Sequence, residues 1–253
     1  MERTMGAWLN GLLGVLIFSG SLPATRVAEQ DFDPVFLTVA RATVAGILAL
    51  ALVRLFRLQH PARTDLLPLV IVALGVVVGF PLLTALALRH VTAAHSIVFI
   101  GLLPLSTALF AVLRAGERPR LAFWLFSILG STLVVGFALS QGLTTNPTGD
   151  LLMLLAILAC GLGYAEGARL SRHLGGWQVI SWALVLSLPP MALLALLTMP
   201  PTFTGITPAA WAGLAYVSLF SMLIGFIFWY RGLAQGGIAA VGQLQLLQPF
   251  FGL

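Results

Sequence analysis

The chain is a succession of apolar runs with almost nothing between them. Runs of about 17–23 residues fall at about 7–25, 34–53, 66–88, 93–113, 121–140, 150–169, 178–198 and 209–230. Each is long enough to cross roughly 30 Å of hydrocarbon as a helix rising 1.5 Å per residue. A ninth run begins near Ile238 and is still running at Leu253. No connection exceeds about a dozen residues, so no soluble domain fits between the runs. Composition agrees with this reading. Apolar residues make up 59% and charged residues 8%, against roughly 25% charged in a soluble domain, and the mean hydropathy is +1.03. The expected fold class is therefore all-α, a polytopic membrane protein. Disorder is excluded, because disordered chains are poor in apolar residues. The single cysteine, Cys160, excludes an internal disulfide framework and a cysteine-based metal cluster. No metal and no cofactor is expected.

Charge sets the expected orientation. All 13 basic residues are arginines, and except for Arg41, inside the second run, they sit in or beside short connections between apolar runs. A pI near 10.7 would suggest nucleic acid in a soluble protein; here the charge is topological and no nucleic-acid partner is expected. With the N-terminus in the cytoplasm, the cytoplasmic segments hold Arg3, Arg54, Arg57, Arg63, Arg114, Arg118, Arg120, Arg169, Arg172 and Arg231, while the outer ones hold Arg26 and Arg89. The positive-inside rule then places the N-terminus in the cytoplasm of an inner membrane. The first run is better read as an uncleaved helix than as a signal peptide, because it is long and more spans follow. Asp33-Pro34 reads as the cap and first turn of the second helix, and Thr148-Gly149-Asp150 as the opening of the sixth. The polar stretch from Gly142 to Gly149 is the candidate join between two halves, 1–142 and 149–253.

An offset of 145 residues carries Leu88, Ala94, Leu102 and Pro104 onto Leu233, Ala239, Leu247 and Pro249. The identities are few, but charge gives an independent sign. The loop from Arg54 to Asp65 has three arginines and its counterpart from Met199 to Pro208 has none. An odd number of helices per half inverts the second half, which is what this asymmetry requires. Inverted repeats mark secondary transporters, with the substrate site near the midplane where the halves meet.

Three stretches carry a family resemblance: Arg41 within TVARATVAGILALAL; TAAHSIVFIGLLPLSTALFAVLRAGERP from Thr92 to Pro119; and GLAQGGIAAVGQLQLLQPFFGL at the end. Together they resemble the EamA-type branch of the drug/metabolite transporter superfamily, over the whole chain. The resemblance implies two five-helix repeats, a cavity between them lined by the first, third, fourth, sixth, eighth and ninth helices, and alternating access for a small-molecule substrate. Two departures from the pattern stand out. Only nine of the ten helices are present. The first helix, from Gly6 to Ala24, also lacks the acid that the small four-helix relatives use for proton coupling.

Candidate site residues follow from depth. Ser19, Phe80, Phe99, Tyr164, Tyr216, Ser221, Gln245 and Gln248 fall within about two turns of the midplane and are the expected substrate-binding set. Gln245 and Gln248 share a helix face, and two amides are costly against lipid. Their alternatives are helix–helix hydrogen bonds or a cavity wall. Ionisable residues inside a membrane are functional candidates. Glu166 is read either as a coupling carboxylate or as the partner of Arg169. Arg41 is read either as an anchor reaching the headgroups or as the partner of a substrate carboxylate, and His95 as a core histidine or a titrating group at the cavity mouth. Pro81, Pro104 and Pro249 are expected to kink their helices. Trp229, Tyr230 and Arg231 read as an interfacial belt, and Glu117 as a local loop ion pair.

One enzymatic alternative exists. His60 and Asp65 have the His-x4-Asp spacing of glycerolipid acyltransferases, in which the acid orients a histidine base; here no soluble domain surrounds it. A non-transporting membrane scaffold is the other alternative, against which the short loops count. No Walker A motif is present for ATP-driven transport. A last expectation concerns the end of the chain. The 145-residue offset puts a counterpart of the Gly116-Glu117 turn at roughly position 262 and the end of a tenth helix at roughly 285, so the functional protein is expected to be about thirty residues longer.

Overall fold

The computed structural model describes residues 2–139 and 146–251, and among them it contains helices and no strand. Six helices are long and apolar enough to cross a membrane. They are α1 (Met5–Ala28), α2 (Pro34–Leu55), α3 (Arg63–Ala87), α6 (Pro147–Ser171), α7 (Gly176–Leu197) and α8 (Pro208–Gly236). Between and after them lie α4, in two pieces (Ala93–Ile100 and Leu103–Ala115), α5 (Leu121–Leu139), and α9. The last begins at Ile238–Gly242, tightens to a 3-10 turn over Gln243–Leu247 and resumes at Gln248–Phe251.

Local chemistry explains the boundaries. Asp33 caps α2, its carboxylate accepting from the backbone N–H of Val35 at 2.8 Å and Phe36 at 3.3 Å, with Pro34 in the first turn. Asn146 caps α6 in the same way, accepting from Thr148 and Gly149 at 3.1 Å, so α6 opens earlier than Thr148. Residues 140–145, which include the first half of the expected join from Gly142 to Gly149, lie outside the described residues. Gly116, at φ +67°, ends α4 in the left-handed conformation that glycine adopts without strain.

The irregularities recur at the spacing found in the sequence. A π-helical stretch, Ala73–Gly79, interrupts α3, and another, Val217–Ile224, interrupts α8; a shift of 145 residues carries the first onto 218–224. The break in α4 between Ile100 and Leu103 answers to the 3-10 turn of α9 in the same way. The main packing pairs are α2 with α7, α1 with α8, α3 with α6, α4 with α6, and α9 with α1 and α4. Exchanging the halves maps α1–α8 onto α6–α3, and α4–α6 onto α9–α1. Close approach is glycine-dependent: a Cβ on Gly232 of α8 would lie 2.6 Å from the backbone nitrogen of Gly11 on α1. The outer surfaces are apolar, with Leu125, Phe126 and Leu129 of α5 and Leu193, Leu196 and Leu197 of α7 exposed, as lipid-facing helices require.

Two ends of the bundle differ in charge. One carries the segments 56–62, 116–120 and 172–175, with most of the arginines; the opposite one carries 29–33, 88–92 and 198–207. Trp229 and Tyr230 correct an expectation. Both are fully buried, and the Tyr230 hydroxyl donates to the Gly163 carbonyl at 3.2 Å. They are a packing joint of α8 against α1 and α6, and the aromatic-rich end of the α8 run misled because lipid-interface and core aromatics look alike in sequence.

Candidate functional site

A cavity opens between the halves, in the part of the bundle nearer the arginine-poor end. Its wall is Phe18, Ser21, Leu22 and Thr25 of α1; Arg41 of α2; Val76, Phe80, Pro81 and Thr84 of α3; Leu103 of α4; Tyr164 of α6; Ser221 and Phe226 of α8; and Gln248 of α9. It is narrow, with about 40 Å³ open to water-sized molecules. The helix irregularities put these groups there. The π-helical stretches of α3 and α8 shift the register just before Phe80 and around Ser221, and π-bulges commonly accompany function. Pro81, lacking an N–H, cannot restore the regular ladder.

Arg41 dominates the electrostatics. It is buried, at 7% exposure, and a buried cation is costly unless something answers its charge. Its Nη2 donates to the Ser221 hydroxyl at 3.3 Å, and that oxygen also accepts from the Ser21 hydroxyl at 2.7 Å. Its Nε has no hydrogen-bond partner. Two further cavity groups are short of partners: the Thr84 hydroxyl and Oε1 of Gln248, whose Nε2 donates to the Phe18 carbonyl at 3.3 Å. A guanidinium with spare donors is the group that takes a carboxylate.

Aromatic rings close the cavity on its arginine-rich side. Phe18 meets Phe226 with ring centroids 5.0 Å apart, and Tyr164 meets Trp229 at 5.5 Å. Beyond them the halves are tied by ion pairs. Glu166, fully buried, accepts from Arg114 at 2.9 Å and also pairs with Arg169. Glu117 pairs with Arg172 at 2.7 Å and accepts from the backbone N–H groups of Ile238 and Ala239 at 2.9 Å. It thus caps α9, where a carboxylate also meets the positive end of the helix dipole; its partners are distant in sequence rather than local. Asp65 faces His173 at 3.3 Å.

The arginine-poor end holds a second, shallower recess lined by Arg26, Glu29, Gln30, Phe32, Asp33, Pro34, Leu88 and Arg89. Glu29 immediately follows α1, its N–H donating to the Thr25 carbonyl at 2.9 Å. Burial pushes its carboxyl up from the ordinary 4.5 to about 7, against the pull of Arg26, Arg89 and Arg41. Asp31 nearby goes the other way, held below its ordinary value by hydrogen bonds from Thr207.

Of the residues selected from sequence, Phe80, Tyr164, Ser221, Gln248, Arg41 and Pro81 meet at the cavity. Ser19, Phe99, Tyr216 and Gln245 are not on its wall. The Ser19 hydroxyl donates back to the Val15 carbonyl at 2.8 Å, because Gly20 interrupts α1 and turns Ser21 inward instead. The Tyr216 hydroxyl donates to the Ile17 carbonyl at 2.8 Å, joining α8 to α1. Phe99 packs on His95 at 5.7 Å, and Gln245 is fully buried beside Tyr164. His95 faces Asp150 at 2.5 Å, away from the cavity. Pro104 sits in the first turn of the second piece of α4, and Pro249 within the last short helix. Thr25, Thr84 and Phe18 escaped notice because α1 runs to Ala28 rather than to about 25, and because a hydroxyl or a phenyl ring in an apolar run carries no signal of which way it faces. His60 packs against Trp182, ring centroids 5.3 Å apart and tilted by 43°, while Asp65 faces His173; no His60–Asp65 pair of the acyltransferase kind is made.

Comparison with known proteins gives the family. The EamA-like transporter family matches residues 5–139 and again 147–253. An "Uncharacterized transporter YdeK" of Bacillus subtilis (strain 168) is 69% identical over all of this chain and 88% of its own length. A "Probable terminal-alkyne amino-acid exporter" of Streptantibioticus cattleyicolor is 24% identical, over 98% of this chain and 84% of its own. A solved crystal structure shares the fold with a TM-score of 0.78 at 20% identity, covering 97% of this chain and 86% of that one. With the family matching both halves and most of the length, the chain belongs to the EamA-like transporter family of the drug/metabolite transporter superfamily, a multi-pass membrane transporter of small molecules and not an enzyme.

Proposed function

We propose that this protein exports small metabolites bearing a carboxylate, amino acids among them, across an inner membrane by alternating access between two inverted repeats. The observation that carries the reading is Arg41. It is a permanent cation, buried in the cavity wall, with one hydroxyl as its hydrogen-bond partner and Nε unpartnered. A substrate carboxylate would supply the bidentate partner that the fold withholds. Phe18, Phe80 and Phe226 give an apolar surface for the rest of the molecule, and the narrow cavity, with about 40 Å³ open to water-sized molecules, must widen to admit it. The printed name of the amino-acid exporter relative supports the same class of substrate.

The repeats are supported by the recurrence of the π-helical stretches at the 145-residue spacing and by the double family match. The arginine-rich end is the cytoplasmic one by the positive-inside rule, which puts the N-terminus inside and the cavity nearer the outer side. For the cavity to reach the cytoplasm, the aromatic floor and the ion pairs Arg114–Glu166, Arg172–Glu117 and His173–Asp65 must part. Each joins one half to the other, so a rocking of the halves breaks them together.

A growth screen tests the substrate class. Cells overexpressing the protein are expected to gain resistance to toxic amino-acid analogues, and the Arg41→Met variant, present at equal level in the membrane, to lose it. Equal protection against the decarboxylated amines of the same analogues would contradict carboxylate recognition.

A further inference from the structure

Arg41 needs a counter-charge when no substrate is present. Ser221 and Ser21 offer only dipoles. Among the described residues, the acid that acts on Arg41 is Glu29, one helical turn beyond the cavity-lining Thr25. Glu29 lines the outer recess, half-buried, with its Oε1 enclosed and without a hydrogen-bond partner. The groups around it are Arg26 on its own helix, Arg89 after α3, Arg41 on α2, and Asp33, which is already engaged by Arg89 at 2.5 Å. Asp31 is taken up by the Thr207 N–H at 2.8 Å and hydroxyl at 2.7 Å, so it does not compete for Arg41.

We propose that Glu29 is a proton-binding site in the outer recess and the exchangeable counter-ion of Arg41, so that a carboxylate arriving on Arg41 is accompanied by a proton on Glu29. The proposal rests on the carboxylate-binding reading of Arg41 and adds its coupling partner. The physical step is electrostatic. With Arg41 empty, its positive charge favours ionised Glu29. A bound carboxylate cancels that charge, leaving Arg26 and the Asp33-paired Arg89 as the cations facing Glu29, and in a poorly solvated site the loss of one attracting charge favours the protonated carboxyl. Glu29 then takes a proton from water in the recess. No bond other than the O–H forms, and the complex of protein and anion gains no net charge. The enclosed, unpartnered oxygen fits this role, since a structural carboxylate would be expected to have its lone pairs satisfied. The raised carboxyl value reported above sets the useful range near neutrality, where both forms are populated.

The test reads the carboxyl itself. Dicyclohexylcarbodiimide reacts with protonated carboxyls in apolar surroundings, and the adduct on the peptide containing Glu29 is counted by mass spectrometry across a pH series, on the full-length protein in detergent. Wild type is expected to label with a midpoint near neutral pH, and Glu29→Gln not at all at that position. Removing the attracting cation in Arg41→Gln is expected to move the midpoint up, raising labelling at mildly alkaline pH severalfold, while Arg41→Lys, which keeps the charge, holds it. Propionate added to wild type should mimic Arg41→Gln without any substitution, and should change nothing in Arg41→Gln. A midpoint in the ordinary carboxylate range, or one blind to both Arg41→Gln and propionate, overturns the proposal. The growth screen can fail through the wrong choice of analogue while this labelling series succeeds, and the reverse also holds, so the two failures are distinguishable.

Discussion

A buried carboxylate shared by two half-exposed arginines is asymmetric in what its loss costs. Glu166 is fully buried, whereas Arg114 and Arg169 are 41% and 40% exposed. Glu166→Gln frees two cations that can rehydrate, a loss of about 1–3 kcal/mol. Removing both arginines to alanine leaves the carboxylate buried and unpaired, about 3–5 kcal/mol. Thermal unfolding in detergent should therefore rank the double arginine variant below Glu166→Gln; the opposite order would contradict the burial asymmetry. Glu29 gives a pH signature. Its folded value lies above the unfolded one, so its contribution to stability is present below pH 4.5 and lost as pH rises through about 7. Glu29→Gln cannot lose it, and the melting-temperature gap in favour of that variant should open over this interval. At this scale the sequence was only partly legible. An arginine in an apolar run is conspicuous, but anchor and ligand readings of Arg41 differ by which way the stem turns. Trp229 and Tyr230 looked like a belt because nothing in their own neighbourhood reports that α1 and α6 cover them.

Helix boundaries were the most legible level, since hydrophobic runs and caps such as Asp33-Pro34 are local chemistry. The π-helical stretches were not, because their cause is tertiary: small residues such as Gly75 and Gly163 let α3 and α6 approach until the backbones nearly touch. Such contacts make a paired prediction. A methyl on Gly232 meets backbone atoms of Gly11 at 2.6 and 2.9 Å and cannot be relieved by a rotamer change, whereas a methyl on Gly136 meets nothing within 4 Å. Gly232→Ala should destabilise by about 1–3 kcal/mol, and Gly136→Ala should be neutral or stabilising by about 0.5–1 kcal/mol. Both are read from the detergent melting curve, and equal melting temperatures would sink the close-packing account of α1 and α8. At α9, Gln248→Leu should insert and melt like the wild type while lowering transport up to about tenfold, the worth of one hydrogen bond. Wild-type transport by that variant would leave Gln248 as packing.

For the whole molecule, the proposed inverted arrangement rests on where charge sits relative to helix number, and orientation is testable apart from transport. Single cysteines at His60 and Thr202, in a Cys160→Ser background, lie in exposed segments at opposite ends. An impermeant maleimide should label Thr202→Cys in intact cells, and His60→Cys only after permeabilisation; the reverse pattern would invert the topology. Alternating access predicts that locking the arginine-rich end stops turnover while leaving the outer cavity open to ligand. Arg41 is proposed to hold the carboxylate of the transported molecule. Counterflow in proteoliposomes, using the radiolabelled amino acid selected by the growth screen, reads that role. The wild type should exchange it and be inhibited by other carboxylates but not by the matching amines; Arg41→Lys should retain part of the exchange, and Arg41→Met, reconstituted at equal density, should show none. Undiminished counterflow by Arg41→Met would contradict the account.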